Sequence, residues 1–173
     1  MSRMLIESTR NRMKLMIALL LISFKVFASE FVPMKGDFAL YLMTHTSDRE
    51  SYRMRTLEAL DRDADVYSIA KFSGFDVGSL NRRNSQWFNG DIIRGSYITD
   101  LVGECVSLNG IIQSISVPAG TFETCRIEKI YGFQKHVTWL GANVPFGLVR
   151  ETFNDMSDPS EVTTLGLLKY GQE

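Results

Sequence analysis

Two histidines, two cysteines and four prolines in 173 residues leave little material for the commoner site chemistries. A zinc site or a histidine-based acid–base mechanism has to recruit His45 or His136, and neither stands in a ligand spacing such as H-x-x-x-H. There is no G-x-S-x-G nucleophile elbow. Gly74, Gly78, Gly90, Gly95, Gly103 and Gly110 lack the strand, glycine-rich turn and helix with a lysine that a phosphate-cradling loop needs, and are read as turn and bulge positions. Asp61, Asp63 and Asp65 alternate as at the opening of a calcium loop. Val66, however, stands where that loop has its glycine and Phe72 where it has its bidentate glutamate. A solvated hairpin turn is expected there, with no metal and no cofactor.

A long apolar run is also missing. The longest near the N-terminus, Leu15 to Phe24, has about ten residues, where a hydrocarbon core needs about 20. Before it stand Arg3, Arg10, Arg12 and Lys14, and after it Lys25-Val26-Phe27-Ala28 precedes Ser29. Charged, apolar and small-residue zones in that order are the layout of a secretory signal. Val26 and Ala28 fill the two positions where a signal peptidase admits small side chains, so cleavage is expected between Ala28 and Ser29. A start at Met13 gives a shorter signal of the same layout. The first cysteine, Cys105, lies far from the apolar run, so no acylated N-terminal cysteine forms and no stable membrane anchor is expected. The expected address is the periplasm or the exterior.

Removal of residues 1–28 takes away five basic residues and Glu7. What is left is 14 Lys+Arg against 19 Asp+Glu, a net charge of −5 in place of −1. Only the Arg82-Arg83 pair hints at a basic footprint, so nucleic acid is not an expected partner. Residues 29–173 have the length of one domain and show no low-complexity stretch.

Alternation dominates from Gly36 onward. Asp37 to Met43 reads as a strand with apolar residues on both faces. Ser47 and Glu50 have capping-box spacing, but Tyr52-Arg53-Met54-Arg55 alternates and a polar turn at 61–65 follows, so residues 51–72 are read as a hairpin. Gly74 to Ser85 reads as a loop with at most one helical turn. Strands are then expected at Trp87-Phe88, 92–98, 101–107, 111–117, 121–131, 136–140, 147–153 and 162–170, with turns at Asn89-Gly90, Asn109-Gly110 and Pro118-Ala119-Gly120. Short strands at this spacing predict an all-β or mainly-β chain with one or two short helices, its antiparallel sheet curved into an unclosed or half β-barrel.

Gly36-Asp37-Phe38 with Tyr41, Val117-Pro118-Ala119-Gly120-Thr121-Phe122, Val144-Pro145-Phe146-Gly147-Leu148-Val149 and Leu168-Lys169-Tyr170-Gly171 together resemble a family of exported bacterial proteins of unknown function. These look like distant relatives of the outer-membrane lipoprotein carriers. The resemblance implies an unclosed antiparallel β-barrel with helical elements across its mouth, and it carries over no catalytic residue.

Cys105 and Cys125 are an even pair in an exported chain, which suggests a disulfide. The strand reading objects: in a regular meander of 101–107, 111–117 and 121–131 both cysteines lie opposite Gln113, two strand spacings or about 9.6 Å apart. A disulfide spans at most about 7 Å, so the bond is left open. Aromatics recur on nearly every expected strand, and Trp87, Phe88, Phe122 and Trp139 are candidates for lining a concave, ligand-receiving face rather than the core. The expected function is non-enzymatic, the binding or carriage of an apolar small molecule or lipid. The alternative is an envelope module with a filled core that docks a protein partner. A cleft gathering an Asp or Glu with His45 or His136 would point instead to an enzyme. Intact-mass measurement of the protein from an envelope fraction should give a chain starting at Ser29, and Ala28→Phe should leave the precursor uncut; a wild-type product retaining residues before Ser29 would refute the cleavage site.

Overall fold

The computed structural model describes residues 32–61, 66–89 and 95–172. The expected signal segment, Ala28 and Ser29, and Asp63, Asp65 and Gly90 of the expected turns lie outside them. The strands are β1 (Asp37–His45), β2 (Glu50–Asp61), β3 (Val66–Gly74), β4 (Asn81–Asn89), β5 (Ile111–Val117), β6 (Gly120–Tyr131), β7 (Gln134–Leu140), β8 (Leu148–Asp155) and β9 (Asp158–Gln172). They form one sheet in the order β4-β3-β2-β1-β9-β8-β7-β6-β5, and every pairing is antiparallel. The two edges, β4 and β5, do not pair with each other, so the barrel is unclosed, as the alternation predicted. One α-helix, α1 (Gly95–Gly103), is present among the described residues.

The sheet curls because its apolar rows have no second sheet to pack on. Ala39 and Tyr41 of β1, Val149 of β8 and Leu165 and Leu167 of β9 form one buried cluster. Leu57 of β2 with Tyr67 and Ile69 of β3 forms another. Phe146, from the β7–β8 connection, packs against both, so strands from the two halves of the sheet converge on one ring. The tip of the β5–β6 hairpin also folds back, with the Ala119 amide donating to the Leu167 carbonyl at 3.1 Å. The face carrying these clusters is therefore the concave one.

Strand direction separates two ends. The turns β1–β2, β3–β4, β6–β7 and β8–β9 lie together at one end, the mouth. The opposite end is filled by the 141–147 connection and the β5–β6 tip. Gly36-Asp37-Phe38, residues 117–122, 144–149 and 168–171 all reach this filled end. There Phe122 meets Tyr170 edge to face at 5.9 Å, and Val144, Leu148 and Val149 are buried. Gly147 has φ +69, and a Cβ on it would sit 2.7 Å from the Ile98 side chain of α1, so only glycine admits the helix so closely.

Two expectations need correction. Residues 95–103 are helical, where the alternation predicted strands at 92–98 and 101–107. Ile98, Leu101, Val102 and Cys105 stand at i, i+3, i+4 and i+7, the helical spacing that a period-two reading overlooks. Residues 74–85 are only partly a loop: a 3-10 turn at Val77–Ser79, capped by the Asp76 carboxylate accepting from the Gly78 amide at 2.8 Å, leads directly into β4 at Asn81. The first correction removes the objection to the disulfide. With Cys105 in the turn after α1 rather than on a flanking strand, its Cα comes within 5.6 Å of that of Cys125 on β6, and the two sulfurs are bonded. Gly110 lies against this bridge, and a Cβ there would be 2.6 Å and 2.7 Å from the two Sγ atoms.

The disulfide closes a separation of 20 residues, a loop whose cross-linking stabilises by about 3 kcal/mol in the chain-entropy account. Urea unfolding of Cys105→Ala/Cys125→Ala should show a loss of about that size, and Gly110→Ala should cost about 1–3 kcal/mol by overpacking the bridge. A double variant as stable as the parent would show that the bridge does not hold the helix to the sheet.

Candidate functional site

The register places side chains on the concave face in rows. The row nearest the mouth runs His45, Thr163, Phe153, His136 and Lys129 across β1, β9, β8, β7 and β6. The next holds Met43, Leu165, Glu151 and Thr138. Below them lie Tyr41 and Leu167. On the other half of the sheet Arg53 and Arg55 of β2 share this face with Tyr41, and with Ser73 and Lys71 of β3. The face thus changes along the strands from apolar at the filled end to charged at the mouth.

Over β1–β4 this charged part forms an open trough of about 610 Å³ lined by Met43, His45, Arg53, Arg55, Lys71 and Arg83, among others. Arg49 and Glu50 line its end at the β1–β2 turn. Arg55 lies over the Tyr41 ring at 5.8 Å and Lys71 over the Phe88 ring at 5.7 Å. Lys71 also donates to Gln86 Oε1 at 2.9 Å, and Arg83 Nε donates to Ser73 Oγ at 2.6 Å. Among the described residues, Arg49, Arg53, Arg55 and Arg83 make no ion pair. A second hollow, about 580 Å³ over Lys35, Thr56, Glu58 and Phe72, lies on the outer side of the sheet and is flatter.

On the concave face of β7 and β8, His136 and Glu151 meet each other. His136 Nε2 and Glu151 Oε1 are 2.6 Å apart, and the imidazole stacks on Phe153 at 4.5 Å between centroids. This brings one of the two histidines together with a carboxylate, the pairing that a hydrolytic site would start from. No hydroxyl or thiol hydrogen-bonds the ring among the described residues, and both cysteines are bonded to each other. His45 Nδ1 is 2.8 Å from Thr163 Oγ1, three strand spacings or about 14 Å from His136. No group of three His, Cys, Asp or Glu residues that could hold a metal ion occurs among the described residues.

The four aromatic candidates are not brought together. Trp87 is 62% exposed on the edge strand β4. Phe88 stacks on Tyr67 at 5.4 Å in the second core cluster. Phe122 packs at the filled end. Trp139 lies between the guanidiniums of Arg126 and Arg150, at 5.9 Å and 5.3 Å. None of the four lines the trough. Of the residues that do, His45 was weighed as a site imidazole and Arg83 noted only with Arg82 as a hint of basic charge, while Arg53, Arg55 and Lys71 were not site candidates in the sequence. The alternation Tyr52-Arg53-Met54-Arg55 announces that two arginines share a face, but not that the face is concave.

Among the described residues no helix is long and apolar enough to cross a membrane, and the bonded cysteines fit an oxidising compartment. No protein-family model and no curated protein matches the chain.

Tyr41 marks the boundary between the apolar and charged rows. The residue is 1% exposed, and its hydroxyl is buried with no hydrogen-bond partner among the described residues. Burial pushes its pKa up to about 12; the positive charge of Arg55 opposes the rise and the negative charge of Glu151 adds to it. The unfolded phenol ionises near 10, so between about pH 10 and 12 the unfolded chain releases this proton first and stability falls, by about 2–3 kcal/mol in all. Urea midpoints measured over that range should fall less steeply for Tyr41→Phe than for the parent. At pH 7 the variant should be as stable as the parent or slightly more so, since it loses no hydrogen bond; equal alkaline slopes would refute the assignment.

Proposed function

We propose that this chain is an exported, periplasmic binding module that holds an apolar, lipid-like ligand against the concave face of its unclosed barrel. The observation that carries the reading is the trough of about 610 Å³ at the mouth, within the range of small-molecule sites. It opens beside apolar rows that the sheet has already curled around. The resemblance of four segments to exported proteins akin to lipoprotein carriers supports the same reading, as does an N-terminal segment laid out as a cleavable signal. We read the role as non-enzymatic: His136 meets Glu151 and His45 shares the trough with Glu50, but among the described residues no hydroxyl or thiol hydrogen-bonds the His136 ring, and the two cysteines are bonded to each other.

A second reading, docking of an envelope protein, is favoured by the two free sheet edges and by exposed apolar side chains at the mouth turns, Phe75 at 84% and Phe133 at 75%. An extended segment of a partner adding to β4 or β5 would use the unpaired backbone groups there.

Native mass spectrometry of the protein purified from its own envelope, in mild conditions, separates the two. Retention of an added mass of lipid size is the expected result. Apo mass alone overturns the ligand reading, and an added mass of protein size transfers the case to the docking reading.

A further inference from the structure

The cations of the trough are placed against the ordinary preferences of a sheet. Arg55 and Lys71 are direct cross-strand partners, and like charges directly opposite each other destabilise a strand pair. Two residues along, Arg53 stands opposite Ser73, whose hydroxyl accepts from Arg83, so two further cations flank one serine. The nearby carboxylates are engaged elsewhere. Glu58 pairs with Arg82 at 2.6 Å, and Glu151 with His136. Among the described residues Glu50 is the one acid lining the trough, against Arg49, Arg53, Arg55, Lys71 and Arg83. This concentration of positive charge occurs in a chain whose residues 29–173 carry a net charge of −5.

Resting on the reading of the concave face as a ligand site, we infer that the trough takes the phosphate-bearing head of an amphipathic ligand, with Arg53, Arg55, Lys71 and Arg83 as its cationic contacts. One carboxylate would leave most of the excess positive charge unmatched, whereas a phosphate carries up to two negative charges and oxygens that match the planar fork of arginine. The rings of Tyr41 and Phe88 hold Arg55 and Lys71 at the trough, and apart from the one ammonium donor that Lys71 gives to Gln86 their N–H donors can turn to an anion. Met43 within the trough and Phe75 at its lip offer apolar surface to the rest of the ligand.

The test uses protein purified from its own envelope, stripped of bound lipid, and three probes below their micelle concentrations. These are lauroyl lysophosphatidic acid, monolauroylglycerol, which is the same molecule without the phosphate, and glycerol 3-phosphate, which lacks the chain. The lysophosphatidic acid should bind at least about tenfold more tightly than monolauroylglycerol at low salt, and the preference should shrink as ionic strength rises. Arg53→Gln/Arg55→Gln should remove about tenfold or more of the lysophosphatidic acid affinity and should lower monolauroylglycerol affinity by a much smaller factor. Arg83→Gln, at an exposed position on an edge strand, should act in the same direction without endangering the fold. Equal affinity for the two lauroyl probes overturns the phosphate head and leaves the lipid reading standing. Glycerol 3-phosphate binding as tightly as the lipid, and weakened by the same substitutions, upholds the phosphate contacts but makes a free phosphate compound the ligand, which removes the lipid reading. Binding of none of the three overturns both.

Discussion

A single nine-stranded sheet has no second layer to cover its apolar rows, and here it covers them by curling around Phe146. That ring touches the cluster on β2 and β3 and the cluster on β1, β8 and β9. It does so from a left-handed backbone conformation, φ 62, which a non-glycine residue adopts at a cost of roughly 1–2 kcal/mol. The connection that carries it is braced locally. The Gly147 amide donates to the Val144 carbonyl, and the Gly141 amide donates to the Gly147 carbonyl, both at 2.8 Å. The contact of Ile98 with Gly147 sets α1 against this connection, and the disulfide anchors the turn after α1 to β6. Curl, plug and helix position are therefore one constraint.

Filling one end decides what the other end can be. Apolar side chains that meet Phe146, Val144 and the β5–β6 tip are consumed by the core, so the concave face is accessible only towards the mouth. There the register delivers Arg53, Arg55, Lys71 and His45 alongside Met43 and Phe153. The four hairpin turns of that end project Phe75, Phe133 and Met156 outward, while the charges stay on the concave face.

Much of the architecture was legible from local pattern. The hairpin of β2 and β3, the β5–β6 pair with its Pro118-Ala119-Gly120 turn, and the unclosed antiparallel sheet all follow from alternation and turn chemistry, because both are short-range properties. The helix was missed because Ile98, Leu101 and Val102 belong to two periodicities at once, and only packing against Gly147 selects the helical one. The disulfide was left open for the same reason, since its feasibility depended on what precedes Cys105 and not on the cysteines. The trough was illegible for a different reason. Arg53 and Arg55 on β2 and Lys71 and Arg83 on β3 and β4 become neighbours only through pairing register, and the concavity of their face is set by a ring near residue 146.

The concave face holds two polar zones, and comparing them shows which one is unfinished. On β7 and β8 the imidazole of His136 meets the carboxylate of Glu151 and lies flat on Phe153, so donor, acceptor and ring face each have a partner inside the chain. On β2 to β4 the guanidiniums and the ammonium have ring faces and neutral oxygens but no carboxylate paired to them among the described residues. Charges beside a low-dielectric floor are screened less than charges in water, so their mutual repulsion is felt more strongly, and so is any anion that relieves it. Chains ordinarily avoid such an arrangement by placing an acid on the neighbouring strand. Here the opposite position on β3 is occupied by Lys71. The repulsion is thus built into the register of the sheet, and among the described residues no carboxylate is paired to these cations to relieve it.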